Sequence, residues 1–368
     1  MPLSPPIHLS LCMIVKDEAG MLPEFLARTR GLWDELVVVD TGSQDDTVAI
    51  LEAAGAKVLH RPWQNDFALA RNYSLEAASG EWILVLDPDE HVSAEFVAQA
   101  RALLTDTTAG AASVVMQNHR EDGHLQEARL VRMFRRHPDV RFRHAIHEDL
   151  ADTLMPRLEQ TGQVLAHLPG PIMHLGYERA HAQARGKKAR DTSIIEAVLA
   201  RDPDDLYLHY KLMEQARFWD DQALAARAAP AAMDAFDRAP DSALGHWAGE
   251  LVVMMVDGLI AGRPQDQVAA LEKLWKRVPH SPAIACRIGE LLESMNQLPG
   301  AEEAFKKAMK APGPLINKQL GTVRPLMGLV RLGLASQDIK GAIGYLKLAQ
   351  KLDPKDPEVA FTVGILLS

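Results

Sequence analysis

Short apolar runs recur through the first half of the chain and are separated by segments in which apolar residues follow a helical spacing. The runs that predict β-strands are 9–15, 36–40, 57–60, 82–87 and 112–117. The segments between the first four runs that predict helices are 20–30, 45–54 and 66–79. Strands that alternate with helices are typical of a mostly parallel sheet covered on both faces. We therefore expect an α/β domain of the Rossmann-like type here.

The pattern changes beyond about residue 180, where strand-like runs almost vanish and Ala, Leu, Lys and Glu dominate. Two segments, 281–313 and 342–368, share the spacing of small and large residues that is typical of tetratricopeptide repeats. The positions that carry this match are Gly289, Ala301, Phe305, Ala308, Ala342, Leu346, Ala349 and Gly364. We expect an α/β domain over 1–180, a helical linker or degenerate repeats over 181–245, and all-α repeats over 246–368.

Composition and charge narrow the class of protein. The chain has 368 residues and a net charge of −9. Residues 1–180 hold 16 Lys and Arg against 26 Asp and Glu, and such an acidic half argues against nucleic acid as a partner. No apolar stretch approaches the roughly 20 residues of a membrane span. The start of the chain lacks a basic region, so we expect no signal peptide. The two cysteines, Cys12 and Cys286, predict buried free thiols in a cytoplasmic protein.

Polar residues follow three of the predicted strands, at the edge where α/β sheets bind ligands. Lys16, Asp17 and Glu18 follow the first strand, and Asp40 follows the second. A carboxylate in the position of Asp40 can accept hydrogen bonds from a ribose hydroxyl or a base N–H, or it can merely cap the turn. Residues 41–43 provide a possible N-cap for the next helix.

An acidic cluster follows the fourth strand. Asp87 and Asp89 flank Pro88, and such a turn can bring two carboxylates to one Mg²⁺ or Mn²⁺ ion. The alternative is a solvated acidic loop in which Asp87 or Asp89 caps the helix predicted over 93–103. For Glu90 and His91 we expect no more than the first turn of the next helix.

Basic residues and histidines supply further candidates. Arg71, inside the helix predicted over 66–79, suits a diphosphate or is a solvated surface residue. His147 and His174 each follow a short apolar segment and are either structural residues or ligands, and Glu148 is a candidate general base. An arginine-rich stretch either grips a phosphate or acidic acceptor or forms a solvated face of a hairpin; it holds Arg129, Arg132, Arg135, Arg136, Arg141 and Arg143.

Taken together, five ordered motifs resemble the family-two glycosyltransferases of the GT-A fold. The motifs are SLCMIVKDE, VVVDTGSQDDT, NDFALARNYSLEAASGEWILVLDPDE, RHAIHEDL and IMHLGY. The chain most resembles a bacterial subgroup with tetratricopeptide repeats behind the catalytic domain, to which the peptide S-glycosyltransferase of glycocin biosynthesis belongs. The resemblance covers residues 8–215, and the repeats extend it.

The resemblance implies a role for each matching residue. Contacts to the nucleotide sugar are implied for Lys16, Asp17, Glu18, Asp40, Arg71 and Asp87. A divalent metal, Mn²⁺ or Mg²⁺, is implied at Asp87, Asp89 and His174, with Asp89 as the direct ligand. Asp87 then acts on the ribose or through water. The base that deprotonates the acceptor is Glu148, with Asp149 as its rival.

The function that we expect is transfer of a sugar from a nucleoside-diphosphate sugar, with UDP-sugars ranked first, to a protein, peptide or glycan acceptor. The resemblance implies a metal-dependent, inverting enzyme. Because repeat arrays usually make binding surfaces, we expect the helical part to recruit the acceptor or a second copy of the chain. An alternative is a repeat-based interaction protein with a vestigial nucleotide-binding domain. A nucleotidyltransferase ranks last, since the acidic segment KDEAGML stands where that class carries a glycine-rich basic loop.

Overall fold

The computed structural model of the chain describes residues 8–119, 125–174, 186–310 and 318–366. The chain forms two compact units, Met1–Ile194 and Ile195–Ser368. Part of the region in which the sequence predicts the domain boundary, residues 175–185, lies outside the described residues. The same holds for 311–313 and 367–368 of the repeat match.

The first unit is built on one eight-stranded sheet with the order β3-β2-β1-β4-β7-β6-β8-β5. Its strands are β1 (Leu9–Val15), β2 (Glu35–Asp40), β3 (Lys57–His60), β4 (Trp82–Val85), β5 (Glu90–Val92), β6 (Ala109–His119), β7 (Leu125–Arg135) and β8 (Val164–His174). Its helices are α1 (Leu22–Arg28), α2 (Thr47–Ala53), α3 (Phe67–Ala77), α4 (Ala94–Leu103), α5 (Ala151–Thr161) and the start of α6 (Lys187–Leu199).

The sheet is mixed, whereas the sequence predicts a mostly parallel one. Strands β3, β2, β1 and β4 are parallel to one another. Beyond β4, strand β7 is antiparallel to both β4 and β6, and β5 is antiparallel to β8. The long β6–β7 pair and the short β5 lack the helical segment between strands that identifies parallel units. Antiparallel neighbours need only a short connection, so the helix–strand alternation did not reveal them.

Helices cover both faces of the sheet, as the alternation predicts. In β1, Leu11 packs in a buried cluster with Phe25 of α1 and Phe96 of α4. Cys12, the next residue, points to the other face and packs in the cluster that includes Leu75 of α3. Successive side chains of a strand alternate between faces, so the continuous apolar run of β1 is what a strand buried on both faces requires.

Two local predictions about helix starts are wrong. Residues 41–43 do not cap α2, because Asp46 occupies its N-cap position. Glu90 and His91 do not form the first turn of the next helix, since they belong to β5 and are buried. Helix α4 begins after Ser93, whose side chain accepts a hydrogen bond from the backbone N–H of Phe96 (3.1 Å). The pairing of β5 with β8, which is remote in sequence, decides the conformation of residues 90–92.

The second unit is helical in its described residues. After the end of α6 it contains α7 (Leu206–Phe218), α8 (Gln222–Arg238), α9 (Ala248–Leu259), α10 (Pro264–Trp275), α11 (Pro282–Ser294), α12 (Leu298–Lys310), α13 (Val323–Ala335), α14 (Ile339–Leu352) and α15 (Pro357–Leu366). Within the described ranges, no helix of the chain is long and apolar enough to cross a membrane.

The predicted repeat positions form the contacts between these helices. Phe305 of α12 is fully buried, and a Cβ atom added at Gly289 of α11 would lie 2.6 Å from its ring. A Cβ added at Gly328 of α13 would lie 2.5 Å from the same ring. Both distances are far below a normal contact, so the two glycines are what allow helices on either side to close on one phenylalanine. Ala342 and Leu346 of α14 are buried in the next cluster in the same way.

Candidate active site

The loops that follow β1 and β2 are tied together by side-chain hydrogen bonds. The backbone N–H of Asp17 donates to the Ser43 hydroxyl (2.9 Å), and the N–H of Gln44 donates to the Asp17 carboxylate (2.7 Å). The N–H of Glu18 donates to the hydroxyl of Thr47 (2.7 Å). Asp17 has a positive φ of 55°. Asp17 and Glu18 therefore lie at the predicted sheet edge, where their hydrogen bonds fix the shape of the loop pair.

Asp40 is buried at the end of β2 and caps the turn that follows it. Its carboxylate accepts from the backbone N–H of Ser43 (3.0 Å) and of Gly42 (3.3 Å), and the ring of His60 lies 3.5 Å away. Gly42 has a φ of 113°, which other residues rarely adopt. This is the capping geometry that the sequence left open as an alternative. Lys16, after β1, has an exposed side chain.

Arg71 lies in α3 and is only 5% exposed, so the interpretation as a solvated surface residue is wrong. Its Nη2 donates to the Asp87 carboxylate (2.9 Å), and its Nε donates to the Glu148 carboxylate (2.6 Å). The buried Nη1 has no hydrogen-bond partner in the described part of the chain. A buried donor without a partner costs free energy, so a further acceptor at Nη1 would stabilise this guanidinium.

Helix α3 also positions the segment that carries Glu148. The side chain of Asn72 donates to the carbonyl of Phe142 (3.0 Å) and accepts from its N–H (2.9 Å). The N–H of Phe67, at the start of the helix, donates to the carbonyl of Ala145 (2.7 Å). Sequence reasoning missed Asn72, although an Asn inside a helix indicates a side chain engaged elsewhere.

The turn after β4 is closed by Glu90, which sequence reasoning assigned no function. The Glu90 carboxylate accepts from the backbone N–H of Asp87 (3.0 Å), and the Glu90 N–H donates to the Asp87 carbonyl (3.0 Å). Arg132 of β7 donates to the other carboxylate oxygen of Glu90. One member of the arginine-rich stretch therefore reaches the acidic cluster from the antiparallel part of the sheet, which the alternation of strands and helices did not predict.

Two carboxylates of this turn have opposite pKa shifts. Burial raises the pKa of Asp87, but attraction to Arg71 and then to Arg132 outweighs it, so the pKa falls to about 2. Burial raises the pKa of Glu90 to about 7 despite Arg132, and the negative charges of Asp87 and Asp89 add to that rise. Asp87 is therefore held ionised, whereas Glu90 resists ionisation because it is buried, with the other carboxylates adding to the effect.

Asp89 and His174 face each other at the same edge. The antiparallel pairing of β5 with β8 places Glu90 opposite His174, and the Asp89 carboxylate lies 3.4 Å from Nε2 of His174. Burial acts to lower the pKa of His174, but its hydrogen bond to Asp89 and the charges of Asp89, Glu90 and Asp87 outweigh this and raise the pKa. In the described residues, no three His, Cys, Asp or Glu side chains are grouped as a ready metal site.

The two candidate bases differ in their surroundings. The Glu148 side chain is 14% exposed and meets Arg71 through one oxygen. Asp149 is exposed, its backbone forms a bridge with Arg143, and its carboxylate accepts from the N–H of Ala151. His147, just before them, adopts a positive φ of 54°. The structure therefore groups Arg71, Asp87 and Glu148 closely, whereas the Asp149 carboxylate is engaged by the backbone at the start of α5.

Comparison with protein families gives one match to this unit. Residues 10–155 match the model of the family described as "Glycosyl transferase family 2". This range contains every predicted site residue except His174, and it spans the strands whose ends carry them.

Two curated proteins are similar to the chain over about half of its length. A TPR repeat-containing protein of Synechococcus elongatus is 42% identical over 207 residues, which is 56% of this chain and 51% of that protein. The SPbeta prophage-derived glycosyltransferase SunS of Bacillus subtilis is 26% identical over 52% of this chain and 45% of that protein. The chain thus spans about half the length of these relatives.

Solved structures are similar at a low level. Residues 1–349 of S. aureus TarS in complex with UDP-GlcNAc align with 79% of this chain and 92% of that one, with 15% identity and a TM-score of 0.41. The thermophilic TPR protein TTC0263 of Thermus thermophilus aligns with 51% of this chain and 94% of that one, with 15% identity and a TM-score of 0.38. Likenesses at this level carry no information about function.

Proposed function

We propose, from the premise that residues 10–155 form a family 2 glycosyltransferase domain, that this protein transfers a sugar from a nucleoside-diphosphate sugar. UDP-sugars are the first donors to test, and the acceptor is a protein, peptide or glycan. The observation that carries the proposal is the buried cluster of Arg71, Asp87 and Glu148 beside the facing pair Asp89 and His174.

The donor set at this edge fits a divalent metal. Asp89 and His174 offer an oxygen and an imidazole nitrogen 3.4 Å apart, and Mn²⁺ accepts both kinds of ligand. Two protein ligands suffice when substrate phosphates complete the coordination. When bound, the metal supplies positive charge to the departing diphosphate. Asp87 is already committed to Arg71, so we assign it to the ribose or to water.

Arg71 is assigned to the diphosphate. Its Nη1 is the buried donor that lacks a partner among the described residues. Its other nitrogens are fixed by Asp87 and Glu148, so the fork points in one direction before substrate arrives. A preorganised donor aimed at developing negative charge is an effective means of stabilising a transition state.

Glu148 remains our candidate for the base in an inverting reaction. Only its Oε1 is engaged, by Arg71, in the described part of the chain, and its Oε2 is left to accept the acceptor's proton. Asp149 is the rival, but its carboxylate already accepts from the Ala151 backbone. Replacing Glu148 by Gln should therefore reduce kcat far more than the change Asp149→Asn.

The assigned contacts to the nucleoside are Lys16, Asp17, Glu18 and Asp40. We assign them because they lie at the ends of β1 and β2, beside β4 in the sheet. The helical unit is proposed to recruit the acceptor or a second copy of the chain, since repeat arrays present extended binding surfaces.

The test combines binding and turnover. Calorimetry measures the binding of UDP with and without Mn²⁺, and a panel of nucleotide sugars with Mn²⁺ is assayed for release of nucleoside diphosphate. We expect Mn²⁺-dependent binding that is lost in Asp89→Ala and kept in Asp139→Asn. Asp139 is a matched control because its side chain is 83% exposed, beyond the far end of β7.

The proposal fails if no donor is hydrolysed or transferred and Asp89→Ala leaves nucleotide binding unchanged. That result would favour the alternative function, a repeat-based interaction protein with a vestigial nucleotide-binding domain.

A further inference from the structure

A cavity of the first unit lies at the opposite end of the sheet from Asp87. Its volume is about 430 Å³, and it is bounded by the start of β6, the end of β7 and helix α5. Arg135, at the end of β7, is paired in register with Trp82, the first residue of β4. Asp87 lies two residues beyond Val85, the last residue of the same strand, so the length of β4 separates the cavity from the candidate active site.

The cavity has an apolar floor and a basic rim. Val140, Leu154 and Leu158 form the floor and are buried in one core cluster. The rim consists of Arg135, Arg136, His137 and Arg157 together with the polar side chains of Thr107, Thr161 and Gln163. No Asp or Glu lines the cavity.

The hydrogen bonds that the three arginines of the rim donate in the described part of the chain all go to neutral groups. Arg135 donates to the carbonyls of Ala109 and Asp106, and Arg136 donates to the carbonyl of Gly80. Arg157 donates to the side-chain oxygen of Gln160. These bonds orient the guanidiniums without neutralising them.

Hydrogen bonds from Thr108 and attraction to Arg135 lower the pKa of Asp106, so Arg135 has an acidic neighbour, although no acidic side chain among the described residues lines the cavity. The Asp106 carboxylate is held by Thr108, and Asp139 lies 3.6 Å from His137. A smaller adjoining cavity, of about 180 Å³, is lined by Glu76, which lies 3.6 Å from Arg141. Arg135, Arg136 and Arg157 thus line one cavity that has no carboxylate in its described lining, in a chain with net charge −9. Like charges that lie near one another repel unless an anion lies between them.

We propose that this cavity binds a small organic anion that carries a phosphate group. The phosphate accepts charge-assisted hydrogen bonds from Arg136 and Arg157 at the rim, a geometry for which arginine is suited. The apolar part of the ligand lies on Val140, Leu154 and Leu158, as in ligand sites that combine apolar walls with a few polar groups. This assignment gives the arginine-rich stretch two separate roles, since Arg132 serves the acidic cluster.

The probe for this site is phenyl phosphate, which joins an apolar ring to a dianion. Calorimetric titration in metal-free buffer with EDTA compares the intact protein with the double variant Arg136→Gln/Arg157→Gln. The matched control is Arg28→Gln/Arg263→Gln, which removes two exposed arginines that already pair with Glu24 and Asp266. We expect saturable binding of phenyl phosphate but not of phenol, at least tenfold weaker in the double variant and within twofold of the intact protein in the control.

A second arm identifies the source of the phosphate. Flotation with phosphatidic acid vesicles and with neutral vesicles tests whether the phosphate belongs to a lipid headgroup. With either probe, binding that is lost in the double variant supports the site. The probe that binds more tightly identifies whether the phosphate belongs to a small molecule or to a lipid headgroup.

Two results would overturn the proposal: no binding of either probe, or binding that the double variant leaves unchanged. Because UDP and Mn²⁺ bind at the other end of β4 in our proposal, their binding is measured in the same variants. A failure of the cavity proposal is thereby distinguished from a failure of the glycosyltransferase proposal.

Discussion

Arginine–carboxylate pairs occur in both units, but their surroundings differ. At the sheet edge, the Arg71 side chain is 6% exposed and is shared by Asp87 and Glu148. In the helical unit, the Arg331 side chain is 40% exposed and is shared by Glu293 of α11 and Glu358 of α15. Each arginine joins two acids, so the connectivity is matched, and what differs most is the burial of the arginine, since Asp87 is as exposed as Glu293. An arginine–carboxylate contact alone therefore does not identify a candidate functional site, whereas an arginine that is buried in such a contact does.

The largest effect is expected from removing the buried arginine. Arg71→Met leaves Asp87 and Glu148 without their shared partner, and breaking a buried pair costs about 3–5 kcal/mol. Loss of a preorganised donor should also slow transfer by roughly a hundredfold to a thousandfold. Urea unfolding and the release of nucleoside diphosphate measure the two effects.

The control for this experiment is Arg331→Met, which removes the same side chain from a matched but more exposed set of acids. Equal losses of stability in the two variants would break the comparison. Arg71→Lys sharpens it, because it keeps the charge but cannot serve both acids with a planar fork. Compared with Arg71→Met, the variant Arg71→Lys should regain more of the lost stability than of the lost turnover.

The next effect tests where the stability of the helical unit comes from. Phe305→Ala removes the ring that Gly289 and Gly328 enclose, and truncating a buried phenylalanine costs about 3–5 kcal/mol. The glycines leave no side chains that could fill the space. Urea unfolding followed by circular dichroism measures the loss, while UDP binding with Mn²⁺ should stay unchanged.

Phe361→Ala provides a control of the same residue type in the same unit. Phe361 is 70% exposed, so its truncation should cost within about 0.5 kcal/mol. A large loss there, or a small one for Phe305→Ala, would show that apolar packing does not dominate this unit.

The same contrast explains what the sequence could and could not predict. Strands β1, β2 and β4 and the repeat positions were predictable because each depends on a local apolar period. Asp87 and Asp89 were identifiable for the same reason, since they end a buried strand. The mixed half of the sheet was not, because β5 pairs with a strand that begins 74 residues after its own start, at Val164 against Glu90.

The missed residues of the site depend on that long-range pairing. In the sequence Glu90 resembles a helix start, but its pairing with β8 makes it a strand residue. Arg132 is one of six similar arginines in the sequence. Only the register of β7 with β4 separates the arginine that reaches Glu90 from those at the far cavity. A local pattern cannot contain that information.

A moderate effect is expected from the pH dependence of the buried cluster. The pKa of Glu90 is raised by burial to about 7, above its value of about 4.5 in the unfolded chain. The folded protein therefore binds the proton more tightly, and the contribution to stability is full below pH 4.5 and is lost as the pH rises through 7. The loss between pH 5 and 7.5 should be about 1–3 kcal/mol.

Glu90→Gln removes this contribution, because an amide cannot lose the proton, and with it the part of the raised pKa of His174 that the charge of Glu90 supplies. Unfolding of both proteins is measured from pH 5 to 7.5 in EDTA, and only the slopes are compared. The variant should lose less stability than the intact protein over this range. Asp87, whose pKa falls to about 2, does not interfere, since its contribution is lost only as the pH falls below 3.8. Identical slopes would mean that Glu90 stays ionised and that the cluster is as well solvated as the pairs of the helical unit.

The smallest effect is expected at the exposed pair that opened the comparison. Arg331→Gln removes the charge between Glu293 and Glu358, and exposed ion pairs contribute about 0.2–1 kcal/mol. Salt screens such charges over roughly 10 Å at 0.1 M, so the difference from the intact protein should shrink when NaCl is raised to about 1 M. The matched measurement on Arg71→Met should change less with salt, because that guanidinium is only 5% exposed and buried pairs are screened much less than exposed ones. A salt-insensitive loss above about 2 kcal/mol for Arg331→Gln would exceed what exposed pairs supply. Arg331 with Glu293 and Glu358 would then be a candidate functional site, like the buried cluster at the sheet edge.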